Sequence, residues 1–180
     1  PRPRFSGYHE FLGKTIGIVG FGSIGRIVAK KANAFGLKCL AYDPVLSGNE
    51  VALEGFNVPL VSLNALLSHS DAVTLHLPFL PETKGLFNLD ILSQMKAGAC
   101  LINTARGGIV DEFALAECLR SGHLGGAALD VFSAEPAKDL SHLVGIENLI
   151  LTPHIAGVTH ESNERVSQMI ADEVNLFLGA

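Results

Sequence analysis

The sequence holds 180 residues, 48% of them apolar and 17% charged, a globular composition that excludes a disordered chain. The net charge of −5 leaves no general basic surface and argues against nucleic acid as a partner. Apolar stretches are broken by Gly, Asn, Thr or Asp well short of a membrane span, and no secretory leader pattern opens the chain.

Pro1 to Arg4 is basic and proline-bearing and reads as an entry linker, with Tyr8 to Lys14 leading into a strand over Thr15 to Gly20. A glycine turn follows, then a helix over Ser23 to Phe35 with Ile24, Val28, Ala32 and Phe35 at core spacing and Gly36 as its stop. The next strand, Leu37 to Tyr42, ends at Asp43, and Pro44 forbids its continuation as a paired central element. Val45 to Asn57 reads as irregular and Val58 to Val61 as a short strand, after which Ser62 caps a helix over Leu63 to Leu67. Asp71 to Leu77 is a strand ending at Pro78, and the loop Pro78 to Thr83 is stiffened by its prolines. A helix over Leu89 to Met95 precedes a strand over Ala99 to Asn103 and a glycine-rich turn, Thr104 to Gly108. Asp111 caps a helix over Glu112 to Arg120, closed by Gly122. Strands over Gly126 to Val131 and Leu149 to Thr152 come next, and Thr159 to Leu178 is a long helix with Val166, Ile170, Val174 and Phe177 on one face. Strand and helix alternate throughout, which predicts an α/β fold, a doubly wound parallel sheet of Rossmann type with helices on both faces. Cys39, Cys100 and Cys118 are an odd number without metal spacing and read as buried reduced thiols in a cytoplasmic setting, with no metal site expected.

The chain is organised around Gly20-Phe-Gly22-Ser-Ile-Gly25, which fits G-x-G-x-x-G between a strand and a helix. The first glycine permits the turn, the second admits a pyrophosphate to the backbone, and the third lets helix and strand pack closely. The helix opening at Ser23 aims free N–H groups and the positive end of its dipole at the phosphates. Asp43, about 20 residues past the glycines, suits a ribose diol and repels a 2′-phosphate, so NAD is favoured over NADP. Taken alone, Asp43-Pro44 is equally an ordinary turn.

Ligands of such sheets bind beyond the carboxyl ends of the strands, where Asp43, His76, Arg106, Asp130 and His154 all fall. Arg106, in a turn that continues into Gly107-Gly108, can grip a carboxylate with two parallel hydrogen bonds; by itself it is also a plain surface arginine. His154 has the residue type to give or take a proton near neutral pH, and a carboxylate such as Glu135 would fix its ring. Spacing alone does not establish that the two touch.

At this point the residues resemble the D-isomer-specific 2-hydroxyacid dehydrogenases, over essentially the whole chain from Leu12 onward. The resemblance rests on Gly20 to Gly25, on Leu75-His-Leu-Pro78 with Glu82-Thr83, and on Asn103-Thr-Ala-Arg-Gly107. Ala128-Leu-Asp-Val-Phe132 with Glu135-Pro136, and Thr152-Pro-His-Ile-Ala-Gly157, complete it. It implies that Arg106 binds the substrate carboxylate and carbonyl, with His154 as acid/base and Glu135 as its partner. It implies a cofactor set of Gly20, Gly22, Ser23, Ile24 and Gly25, in which Ser23 and Ile24 meet the pyrophosphate, while Asp43 holds the ribose and Leu77 and Pro78 line the adenine side. Thr83 belongs to that set, and Thr104, Ala105, Arg106, Asp130, His154, Ala156 and Gly157 surround the nicotinamide. Related formate dehydrogenases carry an amide where Glu135 stands, so a 2-hydroxy or 2-keto acid is the implied substrate and NAD the cofactor.

Family members also carry a substrate domain. Residues 1–14 are then a crossover from that domain, residues 15–158 the dinucleotide-binding domain, and residues 159–180 a helix leading back. The implied assembly is a homodimer without membrane contact, and the isolated chain is expected to bind NAD yet turn over little. A dehydrogenase-like corepressor that senses NAD(H) is the other reading open to these residues.

Overall fold

The computed structural model describes residues 10–179; the expected entry linker Pro1 to Arg4, and Tyr8 at the head of the lead-in, lie outside them. Six strands form one parallel sheet: β1 (Thr15–Val19), β2 (Lys38–Tyr42), β5 (Ala72–Leu75), β6 (Cys100–Asn103), β7 (Gly126–Leu129) and β8 (Leu149–Leu151). A separate two-stranded sheet pairs β3 (Glu50–Leu53) with β4 (Phe56–Pro59). The helices are α1 (Ser23–Ala34), α2 (Leu63–His69), α3 (Leu89–Leu92), α4 (Glu112–Arg120) and α5 (His160–Leu178), with a 3-10 turn at Ser141–Leu143.

The strand order β2-β1-β5-β6-β7-β8 reverses direction between β1 and β5, the signature of a doubly wound Rossmann-type sheet. Register then sets the rim. Val19 lies opposite Tyr42 and Leu75, Leu75 opposite Asn103, Asn103 opposite Leu129, and Leu129 opposite Leu151. The residues that follow, Gly20, Asp43, His76, Thr104, Asp130 and Thr152, therefore emerge at one level along one edge.

Successive side chains of a strand point to opposite faces, and the two cores follow that rule. Val19, Val73, Leu75 and Leu101 pack with residues of α2, α3 and α4 in the larger core. Ile18 and Ala41 turn the other way, onto Ala29 of α1, Phe21 and Val58. Local chemistry fixes the helix starts: Ser62 accepts the Ala65 N–H, and Asp111 accepts those of Phe113 and Ala114. Such caps contribute about 1 kcal/mol each. Thr159 and Ser162 form a reciprocal capping box at α5.

The structure departs from the expected elements in several places. Val45 to Asn57, read as irregular, contains most of a hairpin: Val51 pairs with Val58 and Leu53 with Phe56 across the two-residue loop Glu54-Gly55. Gly55 takes φ +85 there, and Val51, Leu53 and Phe56 pack on the smaller core. The helix expected to reach Met95 stops at Leu92, and the strand expected to reach Leu77 stops at Leu75. Cys100, expected buried, is exposed, because its face of β6 looks with Ile102 into a groove of about 520 Å³ between α1 and the sheet; Cys118 is buried and Cys39 half-buried. Finally, α5 forms as expected but buries none of its residues among those described, and Phe177 on its apolar face is 90% exposed.

Candidate active site on the carboxyl rim

The glycine turn is built as its spacing predicts. Gly20 has φ +93, and a Cβ there would lie 2.6 Å from the backbone oxygen of His76. A Cβ on Gly25 would collide with the Gly20 backbone oxygen, so α1 can approach the turn this closely only because residue 25 is glycine. Gly22 is the N-cap of α1, makes no side-chain cap, and has open space where a Cβ would stand. Gly22, Ser23 and Ile24 are exposed, and no side chain among the described residues caps the N–H groups of this first turn. That is a fitting cradle for a pyrophosphate. Asp43 closes its other side: Oδ2 accepts the Phe21 N–H at 2.7 Å and Oδ1 the Val45 N–H at 2.9 Å. A carboxylate has about four acceptor sites, so capacity remains for a diol.

Across the switch point, Ile24, His76, Leu77, Pro78, Thr104, Ala105 and Arg106 line a cavity of about 450 Å³. Burial pushes the His76 imidazole below its usual pKa, which favours its neutral form, and its Nε2 lies 3.1 Å from Thr74 Oγ1. Thr83 stands outside those walls. Its hydroxyl donates to Pro78 O at 2.7 Å and accepts the Leu80 N–H at 2.8 Å, so it shapes the Pro78 to Thr83 loop from beneath.

Arg106 sits in a turn written by its neighbours. Buried Asn103 accepts the Ala105 N–H and donates to Arg106 O, both at 3.0 Å. A Cβ on Gly107 would collide with Phe132 O, so the Arg106 turn lies directly on the loop after β7. The guanidinium is exposed, and among the described residues its one hydrogen bond runs from Nη1 to Ala105 O at 2.6 Å.

The loop after β8 carries His154 at φ +55, a left-handed conformation costing about 1 kcal/mol or more for a residue with a Cβ. Asp130 offsets it. Only 3% exposed, its carboxylate accepts from the Thr152 hydroxyl and from the N–H groups of Ile155 and Ala156, both at 2.9 Å. Bonds to a charged acceptor are worth about 1.5–3 kcal/mol each, so three outweigh the strain. Burial alone would raise the Asp130 pKa; those donors, with His154 nearby, outweigh burial and hold it below the usual range.

So placed, His154 Nδ1 lies 2.6 Å from Glu135 Oε2, while Glu135 Oε1 accepts the Phe132 N–H at 2.9 Å. The hydrogen bond with His154, then that from Phe132, keeps the Glu135 carboxyl below its usual range. With Nδ1 engaged, Nε2 is the ring nitrogen left for another partner. The pair borders a cavity of about 520 Å³ with Phe132, Leu140, Leu151 and Pro153. Of the sequence-derived candidates, the structure thus joins Glu135 to His154 and Asp130 to the His154–Gly157 turn, whereas Arg106 lines the neighbouring cavity and bonds to neither. Two supports, Asn103 and Thr152, had no assigned part in the sequence reading. An Asn ending an apolar strand, before small residues, is the available signal for the first, since Asn readily closes such turns. Among the described residues no three His, Cys, Asp or Glu side chains gather as a metal site, and no helix is long and apolar enough to cross a membrane.

Residues 2–156 match the family model described as D-isomer specific 2-hydroxyacid dehydrogenase, NAD binding domain. The chain is 50% identical over 179 residues to the (S)-sulfolactate dehydrogenase of Chromohalobacter salexigens, covering 99% of this chain and 57% of that protein. It is 43% identical over 177 residues to the D-3-phosphoglycerate dehydrogenase of Mycobacterium leprae, covering 98% of this chain and 33% of that protein. The NAD-dependent formate dehydrogenase of Staphylococcus aureus, solved in complex with NAD, superposes with a TM-score of 0.82 at 40% identity, over 94% of this chain and 50% of that one. The chain thus spans between a third and about three fifths of these proteins' lengths. Glycine turn, rim and family match agree: the chain belongs to the D-isomer specific 2-hydroxyacid dehydrogenases as an NAD-binding domain, and its cofactor is NAD.

Proposed function

We propose that this chain is the cofactor-holding half of an oxidoreductase interconverting a 2-hydroxy acid and its 2-keto acid. The observation that carries this is the Glu135–His154 pair at 2.6 Å, on the same rim as the glycine turn and Arg106. NAD supplies hydride transfer at the substrate carbon. The chain's residues do the rest. Free N–H groups of the α1 first turn hold the pyrophosphate and Asp43 the ribose; Leu77, Pro78 and the Thr104–Arg106 turn wall the cleft. Thr83 and Asp130 serve from beneath, by shaping loops.

In the reducing direction, Arg106 holds the substrate carboxylate and draws charge toward the carbonyl oxygen, where negative charge develops as the carbon gains hydride. His154 Nε2 gives its proton to that oxygen, and ionised Glu135 steadies the imidazole before and after. Oxidation runs the same steps backward: His154 takes the hydroxyl proton as hydride leaves. A carboxylate at Glu135 supports a hydroxy acid rather than formate, and sulfolactate, glycerate and 3-phosphoglycerate are the substrates to test first.

The relatives' greater length and the bare apolar face of α5 support a further domain that completes the cleft, with residues 159–180 leading toward it. The chain alone then binds NADH but turns over little. A homodimer is the proposed assembly, and three unpaired cysteines suit a reducing cytoplasm. The test is a panel of 2-keto acids with NADH on the full-length protein, beside His154→Ala. A rate loss of about 100-fold or more in the variant is expected for a general acid/base. Nucleotide binding without turnover of any 2-keto acid would refute the enzyme reading and favour an NAD(H) sensor.

A further inference from the structure

One buried acidic side chain has no part in that chemistry. Glu112 opens α4, yet α4 is already capped by Asp111, so Glu112 is not needed as the cap. Its carboxylate turns instead to the loop after β7. Oε1 accepts both the N–H and the hydroxyl of Ser133 at 2.7 Å, and Oε2 lies 3.2 Å from His142 Nε2. Ser133 and His142 bracket Glu135 in the sequence, so one side chain grips the loop on both sides of the proposed histidine partner.

The grip is reinforced from the same helix. Phe113 stacks on the His142 ring with centroids 4.2 Å apart, and Arg120 Nη2 donates to His142 O at 2.7 Å. On the other side, the amide next to the Ser133 anchor, Phe132 N–H, holds Glu135 Oε1, and the Phe132 oxygen abuts Gly107 beside Arg106. The backbone at Phe132–Ser133 is thus the junction between the acid–base pair and the arginine turn, and Glu112 pins it.

We propose that Glu112 is a positioning residue for the reaction: through Ser133 and His142 it holds the 133–142 loop so that Glu135 reaches His154. The inference rests on the acid–base reading of that pair. A near-attack geometry misplaced by about 1 Å can lower a rate about 100-fold, so a side chain that never meets substrate can still govern kcat.

The experiment uses the full-length protein and compares Glu112→Ala, Glu112→Gln, Ser133→Ala and Glu135→Gln, each scored as kcat per folded molecule, with NADH affinity read by fluorescence. Glu112→Ala is expected to lower kcat by about 10- to 100-fold, with NADH affinity unchanged because the glycine turn and Asp43 are untouched. Glu112→Gln keeps an oxygen for both Ser133 donors and is expected to recover most of that loss. Ser133→Ala, which retains the backbone N–H, is expected to lower kcat less, and it serves if Glu112→Ala does not fold. Each of these effects should shrink in a Glu135→Gln background, because residues acting as one unit do not multiply. Lower thermal stability with unchanged kcat per folded molecule, or losses that multiply with Glu135→Gln, would overturn the inference while leaving the acid–base pair intact. Full kcat in Glu135→Gln itself would overturn the pair and this inference with it.

Discussion

Replacing Asp130 by Ala tests how the His154 turn is held. The carboxylate is 3% exposed and accepts three hydrogen bonds, from the Thr152 hydroxyl and from the N–H groups of Ile155 and Ala156. At about 1.5–3 kcal/mol each, the three sum to roughly 5–9 kcal/mol before compensation. Two terms reduce that sum. Ile155 and Ala156 are exposed, so water can take over their amides, and release of the left-handed His154 returns about 1–2 kcal/mol. The expected net destabilisation is about 2–4 kcal/mol, read as a lowered urea midpoint at constant slope on the chain itself. Asp130→Asn should fall between, since its oxygen can serve two donors while its NH2 faces the third. A change under about 0.5 kcal/mol for Asp130→Ala, the level of an ordinary surface substitution, would refute the claim that this acid holds the turn.

Gly20→Ala should destabilise by more than about 1 kcal/mol, because φ is +93 and the His76 backbone occupies the Cβ position. Gly22→Ala should leave the urea midpoint nearly unchanged, since no described residue lies where its Cβ would stand, yet weaken NADH binding in a fluorescence titration; equal NADH affinity would count against the cradle. Acid should also be destabilising in a definite window. Asp71, held down chiefly by its Lys96 hydrogen bond, and Asp130 and Glu135 all titrate below their usual ranges in the folded chain. Their stabilisation is present above about pH 4 and is lost as pH falls through the folded values; a urea midpoint flat from pH 6 to about pH 3 would contradict it.

The order of strands and helices was legible because buried parallel strands leave apolar runs and their helices leave caps. Ser62 and Asp111 mark real helix starts for that reason. The hairpin β3–β4 was not, because each strand is four residues long with only two inward apolar positions, Val51 and Leu53 facing Val58 and Phe56, and its turn signal, Glu54-Gly55, is a weak one. The exposure of Cys100 and of α5 was illegible for a different reason. An apolar stripe reports that a residue wants cover, and the sequence does not report what covers it.

At the site the same division runs through single residues. Type and position past a strand end identified Asp43, Arg106, Asp130 and His154 alike, yet the structure divides them by where their hydrogen bonds go. Asp130 bonds inward to the His154 turn, and Asn103, Thr83 and Glu112 likewise spend their polar atoms on loop backbones. Arg106 keeps most of its donors, His154 keeps Nε2, and the α1 first turn keeps its N–H groups. A polar residue can act on a ligand only with donors or lone pairs the fold has not already engaged, and the Asp43 and Glu135 carboxylates keep lone pairs beyond the bonds they accept. We therefore propose Asp130, Asn103 and Glu112 as supports of the turns, and the proposed chemistry draws on the groups left open on the rim, with Asp43 and Glu135 beside them.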